Sequence, residues 1–237
     1  MRKINGFLGL KRASRHLWNR FSYAQLPTPE KAIFVNPSEI NVVNKKFSTK
    51  DGLGQIVSGN WDLLELVPIT DKNTFVGLNQ RFVQGLEWSQ TAYFEYARNK
   101  IEEKGHWWGY ETLEQFLEIR CAYVDGLYHS IESKGYLSNE ENGHTAPDMD
   151  HRMGSKRQRH SLEPLVLIDR NGDFQLRDGV HRVTLARILN IEKIPVHVLA
   201  RHSTWVRARD KFLSGVKSSI CNKDKLTMHN HPDISES

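Results

Sequence analysis

LVLIDRNGDFQLRDGVHRVTLARILNIEKIPVHVLARHSTW, residues 165–205, is the stretch of the chain that determines the predicted fold. Its apolar runs, turn residues and helical spacing change every few positions, so short elements of different kinds follow one another. In chain order we predict strands at 165–168, 174–176 and 194–199, a turn at Asn171-Gly172 between the first two, and a helix at 180–189. Strands and a helix in this order predict an α+β fold with a small mixed sheet.

The sequence Asp-Gly-Val-His-Arg at 178–182 joins the second strand to the helix. It places His181 and Arg182 in the first helical turn, where free backbone N–H groups and the positive end of the helix dipole favour an anion. Gly179 lets the backbone approach an oxyanion closely, and Arg182 offers a two-pronged hydrogen bond. Asp178 is expected to cap the helix or, alternatively, to hold a magnesium ion. We predict a phosphate-binding corner here, against the alternative that His181 and Arg182 form a structural pair.

Further candidates for the same site lie in two other segments. Arg201 and His202 follow the last predicted strand, and strand ends in α/β layers commonly open into binding clefts. We expect both side chains to reach the phosphate, while Trp205 either stacks on a base or covers the edge of the sheet. Asp62, in the loop sequence Gly-Asn-Trp-Asp, either faces a cleft or caps the next element.

Composition limits the classes of partner. The net charge of +5 suits a nucleotide, a nucleic acid or a membrane surface and does not choose among them. Two distant cysteines, Cys121 and Cys221, do not make a disulfide framework, so we expect a reducing compartment and a cytoplasmic protein, with peripheral membrane contact as an option. No apolar stretch reaches the length of a transmembrane helix.

We expect the chain to have three parts. Residues 1–30 predict a basic N-terminal helix, residues 31–218 a single domain, and residues 219–237 a disordered tail. Within the domain, a helical insertion is expected at about 74–120 and a flexible loop at 139–162.

The details of these parts follow from local signals. Three helices are predicted, at 75–84, from near Ser89 to Gly105, and from near Thr112 onwards, with Gly126 marking a kink or close packing in the last. The polar, glycine-containing stretch at 44–59 predicts a loop.

Two basic segments and one set of candidate metal ligands suggest what the chain could bind. Residues 1–21 have the pattern of a basic amphipathic helix, which either packs on the domain or contacts a membrane surface. Residues 152–160, RMGSKRQRH, either bind the phosphates of a nucleotide or nucleic acid or form a solvated loop. Asp148, Asp150 and His151 are candidate ligands of a divalent cation, with plain solvation as the alternative.

The order of these features resembles the ParB/sulfiredoxin superfamily. The sequence VDGLYHSIESKGYL at 124–137 is similar to a helix and turn of that superfamily, residues 163–199 are similar to the rest of the domain, and residues 32–40 match its first strand. The chain also resembles members that share Gly-x-Trp-Asp, Asp-Gly-x-His-Arg and Arg-His-x-x-Trp, here at 59–62, 178–182 and 201–205. The resemblance implies a ParB/sulfiredoxin-like fold with a helical insertion.

The resemblance also implies a nucleotide, ATP, ADP or CTP with Mg²⁺, bound at 179–182. Sulfiredoxins carry a nucleophilic cysteine where this chain has Val180, which excludes their chemistry. ParB proteins carry a carboxylate where His181 stands, together with a separate DNA-binding domain that is not evident here. Free-serine kinases of the superfamily are most similar at Asp-Gly-x-His-Arg, and they transfer a phosphoryl group to a small hydroxyl compound. The catalytic candidates are then His181, with Glu39 and Asp62 as possible general bases.

The sequence is therefore compatible with three functions. The first is phosphoryl transfer from a nucleotide to a small molecule, or nucleotide hydrolysis. The second is a nucleic-acid-binding or nuclease-like module that uses residues 152–159. The third is a nucleotide-sensing scaffold docked on a membrane through residues 1–21.

Overall fold

The computed structural model describes residues 27–49, 52–142, 163–216 and 225–235. In these residues the chain forms a mixed sheet of seven strands with helices packed against it, so the predicted α+β class is confirmed. The strands are β1 (Ile33–Val35), β2 (Val42–Asn44), β3 (Gln55–Val57), β4 (Leu66–Pro68), β5 (Leu165–Ile168), β6 (Phe174–Asp178) and β7 (Ile194–His202).

The sheet is organised around β7, and its main strand order is β1-β7-β5-β6-β2-β4. β7 pairs in parallel with β5. It also pairs with β1, antiparallel, through residues 194–196, and with β3, parallel, through residues 200–202. Its nine residues are buried except for the half-buried His197, as expected of a strand covered on both faces.

Within residues 165–205 the predicted strands agree with the structure, and the first strand expected within residues 32–40 is present as β1. The strand at 165–168 and the turn at Asn171-Gly172 are confirmed, and β6 and β7 extend beyond their predicted ends. The prediction of a loop across 44–59 is wrong at residues 55–57, which form β3. A three-residue strand carries too little periodicity to be recognised, and pairing with β7 stabilises it.

The helices fall into two groups along the chain. The first group lies between β4 and β5 and is called the helical layer below, and the second group follows β6. The first group is α1 (Asn73–Phe82), α2 (Ala92–Lys104), α3 (Leu113–Gln115), α4 (Ala122–Lys134) and α5 (Asn139–Asn142). The second group is α6 (Val180–Ile188), α7 (Ser203–Leu213), α8 (Lys225–Asn230) and α9 (Pro232–Ser235). Gly105 ends α2 in the left-handed conformation, with φ of +73°, as predicted.

A π-helical segment, Phe116–Cys121, joins α3 to α4. A kink was predicted at Gly126, but the irregularity in this long helix lies earlier, at the π-helical segment. A Cβ added at Gly126 meets no atom within 4 Å, so close packing does not explain that glycine either. The π-helical segment buries the side chain of Arg120 as well as that of Phe116.

Two apolar cores meet at α6. Val183 and Ala186 pack into the core on the sheet, whereas Leu185 packs into the core of the helical layer. The start of α6 therefore lies between the sheet and the helical layer, and residues of both surround it.

The C-terminal residues differ from the prediction. Residues 225–235, which lie in the predicted disordered tail, form α8 and α9 and contribute to the core on the sheet. The reason is a buried carboxylate, Asp233, which accepts hydrogen bonds from Arg201 and from the indole of Trp205. The predicted loop at 139–162 likewise begins with helix α5, in which Asn139 is buried.

Candidate functional site

The turn before α6 has the backbone geometry expected of an anion-binding corner. Gly179 has φ of +95°, and a Cβ there would lie 2.9 Å from Cβ of Pro164, so only glycine fits without strain. No side chain caps α6, because the exposed Asp178 carboxylate accepts from the N–H of Gly179 at 2.8 Å and not from within the helix. The first intrahelical bond runs from Val183 N–H to the carbonyl of Gly179, which leaves the preceding N–H groups without an acceptor inside α6.

Arg182 is partly engaged by an internal carboxylate. Its Nη1 donates to Asn139 Oδ1 at 3.0 Å and to Glu163 Oε2 at 3.4 Å. Glu163 also accepts from the backbone N–H of Asn139 at 2.6 Å and from the hydroxyl of Tyr136 at 3.5 Å. Burial raises the pKa of Glu163 above its usual value in spite of these donors. The ion pair is long, at 3.4 Å, and it is accessible to solvent on the arginine side because the Arg182 side chain remains 20% exposed.

His181 points into the helical layer, which corrects the expectation that it presents a basic group to a phosphate. Its Nε2 lies 2.8 Å from the Tyr93 hydroxyl and its Nδ1 lies 3.4 Å from Nη2 of Arg120. Since a guanidinium only donates, Nδ1 is assigned as the acceptor and Nε2 carries the proton. Burial, together with the charges of Arg120 and Arg182, lowers the pKa of His181 well below its ordinary value. The imidazole is therefore neutral at neutral pH.

Arg120 is a buried guanidinium that pairs with no carboxylate among the described residues. Its side chain donates from Nε to the Tyr93 oxygen at 3.2 Å, and the residue is 7% exposed. The rings of Trp108 and Tyr123 lie 4.6 Å and 5.5 Å from its central carbon. Asp125, farther along the same helix, already pairs with a different arginine. The charge of Arg120 is thus surrounded by neutral oxygens, one imidazole and the faces of aromatic rings.

A strained turn places Trp108 over Arg120. Trp108 and Gly109 have φ of +51° and +82°, and the turn is closed by paired backbone hydrogen bonds between Trp107 and Tyr110. A left-handed conformation at a bulky residue costs about 1–2 kcal/mol. The indole of Trp108 stacks on that of Trp107 at 4.4 Å between centroids. Such strain is often found at functional sites, and here the strained turn covers the guanidinium of Arg120.

The sequence interpretation missed four residues near this corner. Three of them, Tyr93, Trp108 and Arg120, belong to the helical layer, and the fourth, Glu163, lies just before β5. One signal was available: Arg120 follows the apolar Phe116 by four positions and precedes Val124 by four, so a charge stands within an apolar stripe.

Asp62 lies in a different set of contacts. Its buried carboxylate accepts from Nε of Arg170 at 2.7 Å and from the backbone N–H of the same residue at 3.1 Å. Burial acts to raise the pKa of Asp62, but the hydrogen bonds from Arg170 hold it below its usual value. This carboxylate stays charged and fastens the loop after β3 to the turn after β5, so it is not placed as a general base for the α6 corner.

Glu39 is placed at the other end of α6. It immediately precedes Ile40, whose carbonyl accepts a hydrogen bond from Arg187 near the end of that helix. Its side chain lines a separate surface cavity of about 350 Å³, together with residues of the β5–β6 turn and the C-terminal segment. With a rise of about 1.5 Å per residue, Arg187 lies about 10 Å along the helix from its start.

The segments at 59–62 and 201–205 are brought together, but for structural reasons. His202 Nε2 donates to the carbonyl of Gly59 at 2.9 Å, and its Nδ1 accepts from the N–H of Thr204 and so caps α7. Arg201 does not reach the corner, because it pairs with Asp233. It also lies four residues, or about 13 Å, along β7 from His197, which is bonded to the segment beside Gly179. The fully buried Trp205 belongs to the core on the sheet and is not placed to stack on a base.

Several sequence predictions fall on residues outside the described part of the chain. These are the basic helix at 1–21, the patch at 152–160, and Asp148, Asp150 and His151. Within the described ranges, no helix combines the length and apolar character needed to cross a membrane. The same ranges contain no group of three or more His, Cys, Asp or Glu side chains arranged to hold a metal ion, around Asp178 or elsewhere.

Comparison with known proteins leaves the corner to be interpreted from its own geometry. The chain matched no protein-family model, no curated protein and no solved structure.

Proposed function

We propose that the protein binds the phosphate groups of a nucleotide at the start of α6 and transfers a phosphoryl group to a small molecule or to water. The observation that carries the proposal is the corner itself. Gly179, with φ of +95°, opens α6 without a side-chain cap, and the Arg182 guanidinium stands within the first turn. N–H groups without an acceptor inside the helix, the helix dipole and an arginine fork favour a phosphate more than any neutral ligand.

The chemistry fits what this corner contains. Phosphoryl transfer depends on positioning and charge neutralisation, and it needs no nucleophile from the protein. Glu163 holds Arg182 beside the helix start, and burial disfavours the charged form of Glu163 by raising its pKa.

The order of elements around the corner also supports a ParB/sulfiredoxin-like fold. A strand, a turn, a second strand, the glycine corner, a helix and a third strand follow one another from Leu165 to His202. We propose this fold as the frame of the site, with α1 to α4 as the elaboration that distinguishes the chain.

Nucleotide binding is tested by thermal denaturation of the full chain with ATP, ADP or CTP, with and without Mg²⁺. A ligand at a hundred times its Kd stabilises the protein by about 2.7 kcal/mol, which corresponds to a rise in Tm of about 5–10 °C. Arg182→Ala is expected to abolish the concentration-dependent rise. The matched control is Arg207→Ala, which removes an exposed arginine from α7.

Two results would contradict the proposal. One is the absence of a concentration-dependent shift with any of the three nucleotides at millimolar concentration. The other is an equal shift in the wild type and in Arg182→Ala. Turnover is measured separately, as release of ADP or phosphate from ATP in the presence and absence of small hydroxyl compounds.

A further inference from the structure

The helical layer contributes a positive charge that no carboxylate among the described residues balances. The Arg120 guanidinium is 7% exposed, and its hydrogen-bond partners are the Tyr93 oxygen and Nδ1 of His181, both neutral. Taking a guanidinium out of water is strongly unfavourable unless an anion compensates it, and cation–π contact with Trp108 compensates it in part. Arg120 therefore lacks the full charge compensation expected of a buried arginine that has only a structural role.

The position of Arg120 connects it to the proposed phosphate corner. It contacts His181, which precedes Arg182 at the start of α6. Through this contact Arg120 lies at the start of the helix that also carries Arg182, and burial together with the charges of both arginines lowers the pKa of His181. An oxyanion bound at the helix start therefore supplies the negative charge that Arg120 lacks among the described residues.

A buried hydroxyl near the same place also lacks a partner. Thr184 is fully buried, and its Oγ1 makes no hydrogen bond within the described residues. It lies three positions after His181, hence on the same face of α6, and helical side chains lean toward the start of the helix. A buried hydroxyl normally finds a partner, so this one indicates a polar group that the described residues do not supply.

From these observations we infer that Arg120 is a second anion-binding residue, which with Arg182 holds the terminal, doubly charged phosphate of a nucleotide. The inference rests on the proposed function and deepens it by naming the charge state of the bound group. Trp108 covers Arg120 from the outside, so the strained Trp107–Tyr110 turn closes this subsite. A doubly charged terminal phosphate or phosphate monoester compensates Arg120 and also strengthens the weak compensation of Arg182 by Glu163, whereas a singly charged cyclic phosphodiester compensates Arg120 alone.

The test is the affinity of the full-length chain for ADP and for a cyclic nucleoside monophosphate, measured by calorimetry on the wild type and on Arg120→Met. We expect the wild type to prefer ADP and the variant to bind ADP at least about 30-fold more weakly. We also expect the unliganded Tm of Arg120→Met to stay unchanged or to rise, because the variant removes a buried charge that had no carboxylate. Arg209→Met is the matched control, since Arg209 is buried but does pair with a carboxylate, Asp233. That control should lose stability and keep its affinity for ADP.

Each outcome separates the inference from the proposed function. If the wild type binds none of ATP, ADP and CTP, both fail; if it binds ATP or CTP but not ADP, the nucleotide that binds replaces ADP in the comparison. If Arg182→Ala loses ADP while Arg120→Met retains it, the inference is overturned and the proposed function stands. If Arg120→Met does not fold, Arg120→Lys decides, because it keeps the charge and loses the fork: about tenfold weaker ADP binding supports the inference, and unchanged binding overturns it.

Discussion

The buried carboxylate of Asp233 should decide whether the C-terminal residues dock. Asp233 accepts from Nε and Nη2 of Arg201 at 2.8 and 2.5 Å, and from the indole of Trp205 at 2.9 Å. Arg209 lies beside it, with Nε 3.8 Å from the carboxylate. Asp233→Asn keeps the shape of the side chain and removes its charge, which leaves two buried guanidinium groups without their anion.

The size of the effect follows from this burial. Removing one partner of a buried ion pair costs about 3–5 kcal/mol, a large part of the about 5–15 kcal/mol by which a folded domain is stable. For a chain of this size the corresponding fall in Tm is about 6–20 °C. The loss should appear in the fluorescence of Trp205 as well as in helical circular dichroism, because the indole is bonded to the same carboxylate.

The effect should also depend on pH in a defined direction. Burial opposes ionisation of Asp233, but the two arginines hold its pKa below the ordinary value of 3.8. A lowered pKa means that the carboxylate stabilises the fold above pH 3.8 and that this contribution is lost as the pH falls through the lower, folded value. The difference in free energy of unfolding between the wild type and Asp233→Asn should therefore be constant near neutral pH and shrink below 3.8.

Urea denaturation at several pH values measures both effects. Asp71→Asn, which makes the same change of charge at an exposed position, is the control and should alter stability little. A difference below about 1 kcal/mol at neutral pH for Asp233→Asn, or one that persists unchanged in acid, would refute the reasoning and show that the carboxylate does not hold the segment.

Three glycines give further expectations. Gly77→Ala should lower the free energy of unfolding by about 1–3 kcal/mol, because a Cβ there overlaps the backbone of Tyr93 and forces α1 and α2 apart. Gly126→Ala, where a Cβ meets nothing, is its matched control and should gain about 0.5–1 kcal/mol in the same urea titration; a loss equal to that of Gly77→Ala would mean that helix packing is misassigned. Gly179→Ala should cost about 1–2 kcal/mol and weaken the Tm rise with ADP, since the left-handed turn beside Pro164 is strained by a Cβ. An undiminished ADP shift in that variant would separate the turn from ligand binding.

The sequence alone determined the elements whose signals are local. The apolar run at 165–168, the turn at Asn171-Gly172 and the helix that starts after Gly179 were predicted where the structure has them. Gly105 ended α2 for a reason that also lies within a few residues, the left-handed conformation. These features depend on backbone preferences and on the spacing of apolar side chains, which a stretch of about ten residues contains in full.

The tertiary structure decided everything that depends on a distant partner. β3 exists because β7 pairs with it, and residues 225–235 fold because Asp233 meets Arg201 across 32 positions of sequence. Asp62 became a structural anchor through Arg170, 108 positions away. Arg120 reached His181 because the helical layer packs against α6, and neither residue signals the other in sequence. The energetic contribution of a buried charge depends on the groups around it, and only tertiary packing brings those groups together.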